Sequence, residues 1–349
     1  MSRRRAAACL VYLCLACAQT PARVPPDACP MSLEPDAGTQ GGTDGSLTWI
    51  ERCPADHPSR RAGQGSDFDS ARGVTVLFGG STGGFIPGNL NDTWEWDGTN
   101  WTQRTPAVSP SPRANFGMAY DEVRHASVLV AGAGLGDGNG VPQNDTWEWD
   151  GTNWTQKFPD ISPPVRSGPF VAYDSARQVV VLFGGWSAND KYLNDTWEWN
   201  GTTWTQRLPA TSPPANGFGQ YMVYDVKRAV TLLMRYPNEL WEWDGTSWAT
   251  AAFAAPDNMG PMGLAYDTRR NVTVLLVDIS TRTQAGNLYS NETWQWDGTD
   301  LTDTPIPTLQ TVAGGVSFSY DSRRAAMVLF GGTGTEGPTD RTWELLGSP

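Results

Sequence analysis

Histidine is almost missing from this chain: His57 and His125 are the whole supply, and they occupy unrelated places in it. Five cysteines are present, at 9, 14, 17, 29 and 53, and their spacing is not that of a zinc site. No nucleophile elbow and no phosphate-cradling glycine loop stands in strand–turn–helix context. The expectation is therefore a chain without metal or cofactor. Long apolar runs are lacking too. The longest, about a dozen residues behind three arginines near the N-terminus, is too short to span a bilayer. Positive charge is in deficit. A net charge of −12 and a pI near 4.6 exclude nucleic acid and anionic membrane surfaces as natural partners.

Residues 1–18 have the three parts of a signal peptide: a basic start (Arg3, Arg4, Arg5), an apolar core and the small-x-small site Ala16-Cys17-Ala18. Two processing routes stand level, cleavage after Ala18 or lipidation at Cys17. Either removes Cys9 and Cys14 and leaves Cys29 and Cys53, which an oxidising compartment favours as a disulfide. Residues 19–46, rich in Pro, Gly, Thr and Asp, form a flexible linker that would serve as a tether if Cys17 carries lipid. The expected location is periplasmic, cell-surface or secreted, in a bacterium, with no transmembrane segment in the mature chain.

What the chain has in abundance is tryptophan, 17 in all. The stretch NDTWEWDGTNWTQ at 91–103 recurs unchanged at 144–156, and closely related versions begin at Asn194, Asn238 and Asn291. A partial copy, RTWELLG, closes the chain at 341–347. The leading tryptophans at 94, 147, 197, 241, 294 and 343 are 44 to 53 residues apart, a period that marks a repeat architecture. Alternation of apolar and polar residues makes TWEW a strand, and Asp-Gly supplies a tight turn into a return strand that starts at Trp101. Upstream of each hairpin lies a strand ending in Asp-x-x-Arg, from Asp69/Arg72 to Asp321/Arg324, and then a β-branched run such as VTVLFGG. Each unit thus supplies four antiparallel strands, A to D, and a Pro-rich link to the next. No unit can bury its Trp face alone, so neighbours must stack.

The Gly-Gly doublet after strand B, the aromatic pair on strand C and the Trp on strand D resemble the kelch repeat over residues 47–347. The doublet is intact only at Gly79-Gly80, Gly184-Gly185 and Gly331-Gly332. The resemblance implies an all-β fold, a six-bladed β-propeller of four-stranded antiparallel blades. The sixth copy lacks strand D, while Ser46–Arg52 matches Thr99–Arg104 and precedes the first strand A. The N-terminal strand is therefore expected to close the last blade, with a Cys29–Cys53 bridge beside the seam.

In such a meander the B–C loops and D–A links share one rim, and this rim varies in length and composition. It is the expected binding face for a protein or carbohydrate ligand. Trp186, outside every hairpin, is either an aromatic platform on this rim or a loop anchor. Arg61, Arg113 and Arg166, each just ahead of a strand A, resemble the arginines kelch domains present to acidic ligands; equally, each could pair with a carboxylate inside the structure. Glu95, Glu148, Glu198, Glu242 and Glu344 occur once per blade, which places them around a ring, and pairing with Arg suits them better than glycosidase chemistry. Asp137-Gly138-Asn139-Gly140 is only a fragment of a calcium loop. A copper site of the galactose-oxidase type lacks its His and Cys. The reading favours a non-enzymatic binding module. The alternative is a carbohydrate-active enzyme or a sugar isomerase on the same fold, such as the kelch-type sialic-acid mutarotase. A structural envelope component is the third reading.

Overall fold

In the computed structural model, the described residues are 47–83, 88–134, 141–189, 191–215, 220–236, 238–256, 259–283, 286–306, 314–334 and 337–347. The leader, the linker, Cys17, Cys29 and Asp137–Gly140 lie outside them. Six antiparallel sheets follow one another along the chain, each ordered A-B-C-D. Blade one is Gly65–Asp69, Val74–Phe78, Thr93–Trp96 and Trp101–Arg104. Blades two to five repeat this order from Gly117, Phe170, Gln220 and Met259. In blade six, Val316–Asp321, Ala326–Gly331 and Thr342–Gly347 are completed by Leu47–Arg52 from the start of the described chain. Its register runs from Leu47 opposite Gly347 to Arg52 opposite Thr342. The fold is a six-bladed β-propeller closed by its N-terminal strand. No helix long and apolar enough to cross a membrane occurs among the described residues.

The turn between strands A and B explains Asp-x-x-Arg. The Asp69 carboxylate accepts the Arg72 backbone N–H (2.9 Å) and its guanidinium Nε (2.6 Å), and the next residue takes a left-handed conformation, Gly73 at φ 75°. His125 (φ 53°) fills that left-handed position in blade two, so it is a turn residue. On the other turns of this rim, the carboxylate of Asp97 accepts the N–H groups of Thr99 and Asn100.

The strand-C glutamates are the hubs of the blades. Buried Glu95 accepts from Arg72 (2.5 Å) and from Arg104 on strand D (Nε, 2.7 Å). Glu198 does the same with Arg177 and Arg207, and Glu344 with Arg324 and Arg52. In blade five Gln295 takes the glutamate's place, and its amide bonds Arg270 and Thr304 instead. The hubs also reach across blades. Trp149 donates its indole N–H to Glu95 of the preceding blade, Trp199 to Glu148, Trp243 to Glu198 and Trp96 to Glu344. A second series links each strand-D Trp to the Thr before the preceding blade's first strand-C Trp: Trp101 to Thr342, Trp154 to Thr93, Trp204 to Thr146, Trp248 to Thr196 and Trp49 to Thr293. This is why TWEW and the later Trp are copied together: each blade carries the donor for one neighbour and the acceptor for the other.

The seam between blades four and five departs from the pattern. Its Thr and Trp are replaced by Leu240 and Leu301, which join one apolar cluster. The Trp296 N–H, which by position would reach Glu242, is buried with no hydrogen-bond partner among the described residues. A void of about 10 Å³ lies among these side chains.

The hubs predict unequal mutational costs. Glu198 is 1% exposed and holds two arginines and the Trp243 N–H, whereas Glu242 is 24% exposed and pairs with Arg228. Glu198→Ala strands buried donors and is expected to cost about 3 kcal/mol. Glu242→Ala is expected to cost about 1 kcal/mol or less. Urea denaturation of the two variants checks this; equal losses would refute the hub.

Candidate functional site

The rim of B–C loops and D–A links is tied together by the arginines singled out above. Arg61, Arg113 and Arg166 are almost wholly buried, each forked onto one carboxylate: Asp92 (2.7 and 2.8 Å), Asp145 (2.6 and 2.9 Å) and Asp195 (2.7 Å for both). The same guanidiniums donate to the carbonyls of Gly79, Ala131 and Gly184, so each clamps a D–A link to the loop behind strand B. The carboxylates also accept the N–H of Trp94, Trp147 and Trp197 at 2.7 Å. Burial opposes charge on Asp92, Asp145 and Asp195, but the guanidinium and the indole outweigh it and hold all three carboxyls below their ordinary range. In blade four the doublet is Arg235-Tyr236, and Arg235 supplies the missing guanidinium from within the strand, bonding Glu239 (2.6 Å) and the Pro214 carbonyl. In all four cases the guanidinium is engaged with its own blade. Of the two readings of these arginines, the geometry matches carboxylate pairing within the structure. They are not brought together, and none lines the cavity described next.

Two residues beyond each of these arginines, the backbone turns left-handed: Gly63 (φ 69°), Asn115 (φ 53°) and Gly168 (φ 61°), with Gly315 (φ 67°) ahead of blade six. Their amides form a chain, Gly63 to the Gly315 carbonyl, Asn115 to Gly63, Gly168 to Asn115, at 2.9, 2.8 and 2.6 Å. This collar rims a cavity of about 850 Å³ that lies inside the ring of strands A. Strand A of every blade contributes to its wall, for example Ser66, Met118, Phe170, Met222, Leu264 and Phe318. Asp, Glu, Lys, Arg and His are all absent from its lining among the described residues.

Trp186 reaches this cavity. The sequence places it in a loop running from Trp186 to Leu193, but strand B of blade three continues past the doublet to Ser187 and strand C begins at Tyr192. Trp186 pairs with Tyr192 and with Ser167 on a short added strand, and its ring meets Tyr192 edge-on, centroids 4.4 Å apart. It is half-buried at the mouth. The stretch expected as a loop at Ile279–Ser290 is likewise a long hairpin, strand B of blade five running to Thr283 and strand C starting at Gly286. The doublet accounts for blade five but not for blade three, where Gly184 (φ 61°) and Gly185 (φ 106°) are left-handed and the strand still continues. Gly79-Gly80, Ala131-Gly132 and Gly331-Gly332 turn left-handed and end the strand, whereas Val277-Asp278 has no such turn and the strand continues. Blade three holds its doublet as a bulge between Phe183 and Gly185.

Among the described residues no group of three His, Cys, Asp or Glu could hold a metal ion. His57 is exposed, its ring Nδ1 beside the Pro58 carbonyl. Cys53 lies past the end of the closing strand and is not a free thiol.

Fold and site together define a six-bladed β-propeller with a cavity on its axis whose described lining is uncharged, and an aromatic pair at the mouth. Among known proteins, no family model and no curated sequence matches the chain. The solved structure of YjhT is similar to it, with a TM-score of 0.60 at 13% identity, covering 85% of this chain and 99% of YjhT. At that identity the likeness is one of fold.

Proposed function

We propose that this protein is an exported, kelch-like binding module that holds a carbohydrate or protein ligand on the rim of B–C loops and D–A links, with Trp186 as its platform. The observation that carries the reading is the position of Trp186: half-exposed, held edge-on by Tyr192 and set at the mouth of the axial cavity. A rigid aromatic with one free face is a common anchor for ligand rings. The lining, free of carboxylates and guanidiniums among the described residues, favours binding over acid–base catalysis. The kelch affinity draws support from the left-handed doublets, kept even where Ala131 replaces Gly at φ 63°.

Export rests on the leader at 1–18, with cleavage after Ala18 or lipidation at Cys17. A Cys29–Cys53 bridge would tie the linker at 19–46 to the closing strand. The test is a glycan array and a pull-down with residues 19–349 beside Trp186→Ala. The variant is expected to keep its melting temperature and lose at least about tenfold in affinity. Undiminished binding by the variant would remove Trp186 from the site.

A further inference from the structure

We infer that Asn200 is a deamidation site: its side-chain amide is lost as ammonia through ring closure by the Gly201 nitrogen, and Arg124 of the neighbouring blade promotes that closure. The site lies on the rim of A–B and C–D turns, away from the cavity mouth.

The first observation is the residue itself. The C–D turns of blades one to five open with Asp97, Asp150, Asn200, Asp244 and Asp297, each followed by Gly. In every one the opening side chain accepts the backbone N–H groups two and three residues on. The four aspartates do so at 2.7 and 2.8 Å, Asn200 at 3.0 and 2.9 Å. Those N–H groups hold the Asp244 and Asp297 carboxyls below their ordinary range. The turn thus receives a carboxylate better than an amide.

The second observation is access. An Asn followed by Gly closes to a cyclic imide readily, because the second residue has no Cβ to crowd the attacking nitrogen. Gly201 sits at φ 90°, and Asn200, Thr202 and Thr203 are exposed to water. The other two Asn-Gly pairs, at Asn139 and Asn216, lie outside the described residues.

The third observation is Arg124. In blades one, three, four and six the arginine of Asp-x-x-Arg donates from Nη1 to the strand-C glutamate of its own blade, and in blade five to Gln295. Blade two departs from this. Arg124 donates from Nη1 to the Asn200 backbone carbonyl at 2.7 Å, and Glu148 is left with Lys157 and the Trp199 N–H. The nucleophile in ring closure is the deprotonated Gly201 nitrogen, whose charge amide resonance shares with that same carbonyl oxygen. A guanidinium fixed there stabilises the charge as it develops. The turn that carries an amide is therefore the turn whose peptide group carries a cation.

The step balances with water alone. Water or hydroxide takes the Gly201 N–H proton, and the nitrogen bonds to Asn200 Cγ. The Cγ–Nδ2 bond breaks, and Nδ2 takes up a proton and leaves as ammonia. Water then opens the imide. Opening at Cγ gives aspartate, which matches the four sister turns. Opening at the main-chain carbonyl gives isoaspartate, which adds a carbon to the backbone between the paired residues Trp199 and Trp204. That pairing favours aspartate.

The experiment ages the folded chain, residues 19–349, at neutral pH beside the same chain held unfolded in guanidinium chloride. Mass spectrometry follows the tryptic peptide 192–207, in which Asn194 is an internal reference. Asn200 is expected to convert in the folded chain, with aspartate exceeding isoaspartate, while Asn194, Asn100 and Asn153 stay amides. Arg124→Ala is expected to slow conversion about tenfold in the folded chain and not at all in the unfolded one. Asn200→Asp is expected to melt no lower than the parent. The comparison of folded with unfolded parent needs no variant, so the test survives a misfolded Arg124→Ala. An Asn200 that stays an amide in the folded chain, over the time in which the unfolded chain converts, would overturn the proposal. So would isoaspartate as the main product of the folded chain, or a folded Arg124→Ala that converts at the parent's rate.

Discussion

Deleting residues 19–53 is expected to lower the melting temperature by about 10 °C or more. The deletion takes out the outer strand of blade six. Leu47 and Trp49, both buried, leave the cluster formed with blades five and six, and the Trp49–Thr293 hydrogen bond across the seam is lost. Arg52 also leaves buried Glu344, which it bonds at 2.8 Å. Losing a packed Trp and Leu costs roughly 6–8 kcal/mol. For a domain of this size each kcal/mol moves the midpoint by about 2 °C. The edge of Thr342–Gly347 would at the same time be bared for pairing with other chains. Calorimetry of the two chains checks the prediction. Trp49→Ala tests the same point without truncation, at an expected cost of about 3–5 kcal/mol. A melting temperature within about 2 °C of the intact protein would show that the ring does not depend on this strand.

The second large effect is a loss of stability as pH rises. Asp67 sits on strand A of blade one, at a position where other blades have Ala119, Ala172, Val223, Ala265 and Ser319. It is fully buried. The Ser127 hydroxyl donates to its Oδ1 at 2.8 Å, and its Oδ2 has no partner. Burial pushes its carboxyl up to about 8, the Ser127 bond opposes the rise, and Asp69 adds to it. In the unfolded chain the same group titrates near its ordinary value of 3.8. Between those values the unfolded chain has released the proton and the folded one has kept it. The contribution of Asp67 is therefore fully present below about pH 4 and is lost as pH rises, by about 1.4 kcal/mol per unit, to a loss on the order of 5 kcal/mol near pH 8. Asp67→Asn, which cannot ionise, should flatten this limb. Urea denaturation at pH 5 and pH 8 measures it. The variant's advantage must grow between the two values; a constant difference would show that Asp67 ionises freely in the fold.

The blades were legible because their contacts are copied. Asp69 with Arg72, Glu95 with Arg104, and Trp101 with Thr342 all recur with the repeat, so the residues that need each other travel together. The same logic exposed the closing strand, since Trp49 is the Trp that blade six lacks. The cavity was not legible for the opposite reason. It is walled by the residues in which the copies differ, such as Ser66, Met118 and Phe170, and no periodicity points to them. The collar left a faint signal, a Gly or Asn two residues beyond Arg61, Arg113 and Arg166, which only a search for left-handed positions would notice. The arginines allowed two uses in the sequence, and the bidentate pairing with Asp92, Asp145 and Asp195 appears only once the D–A links fold back over the doublets. Asp67, third in strand A, stands where the other blades carry small side chains, and only an alignment of the copies at that one position would mark it as the exception.

The Leu240–Leu301 seam bears on how the ring moves. Five of its six joints are fastened by an indole hydrogen bond to a threonine; this one lacks that bond, packs Leu240 and Leu301 around a small void, leaves the Trp296 N–H without a partner among the described residues, and keeps the Lys227 N–H to the Tyr266 hydroxyl (3.2 Å) and Arg228 over the Trp296 ring (5.8 Å). Directional bonds resist sliding; apolar contact tolerates it. With one indole–threonine bond fewer than the others, this joint is where backbone hydrogen exchange is expected to be fastest. The same two blades supply Met222 and Leu264 to the axial wall, so movement at this joint would be felt in the cavity.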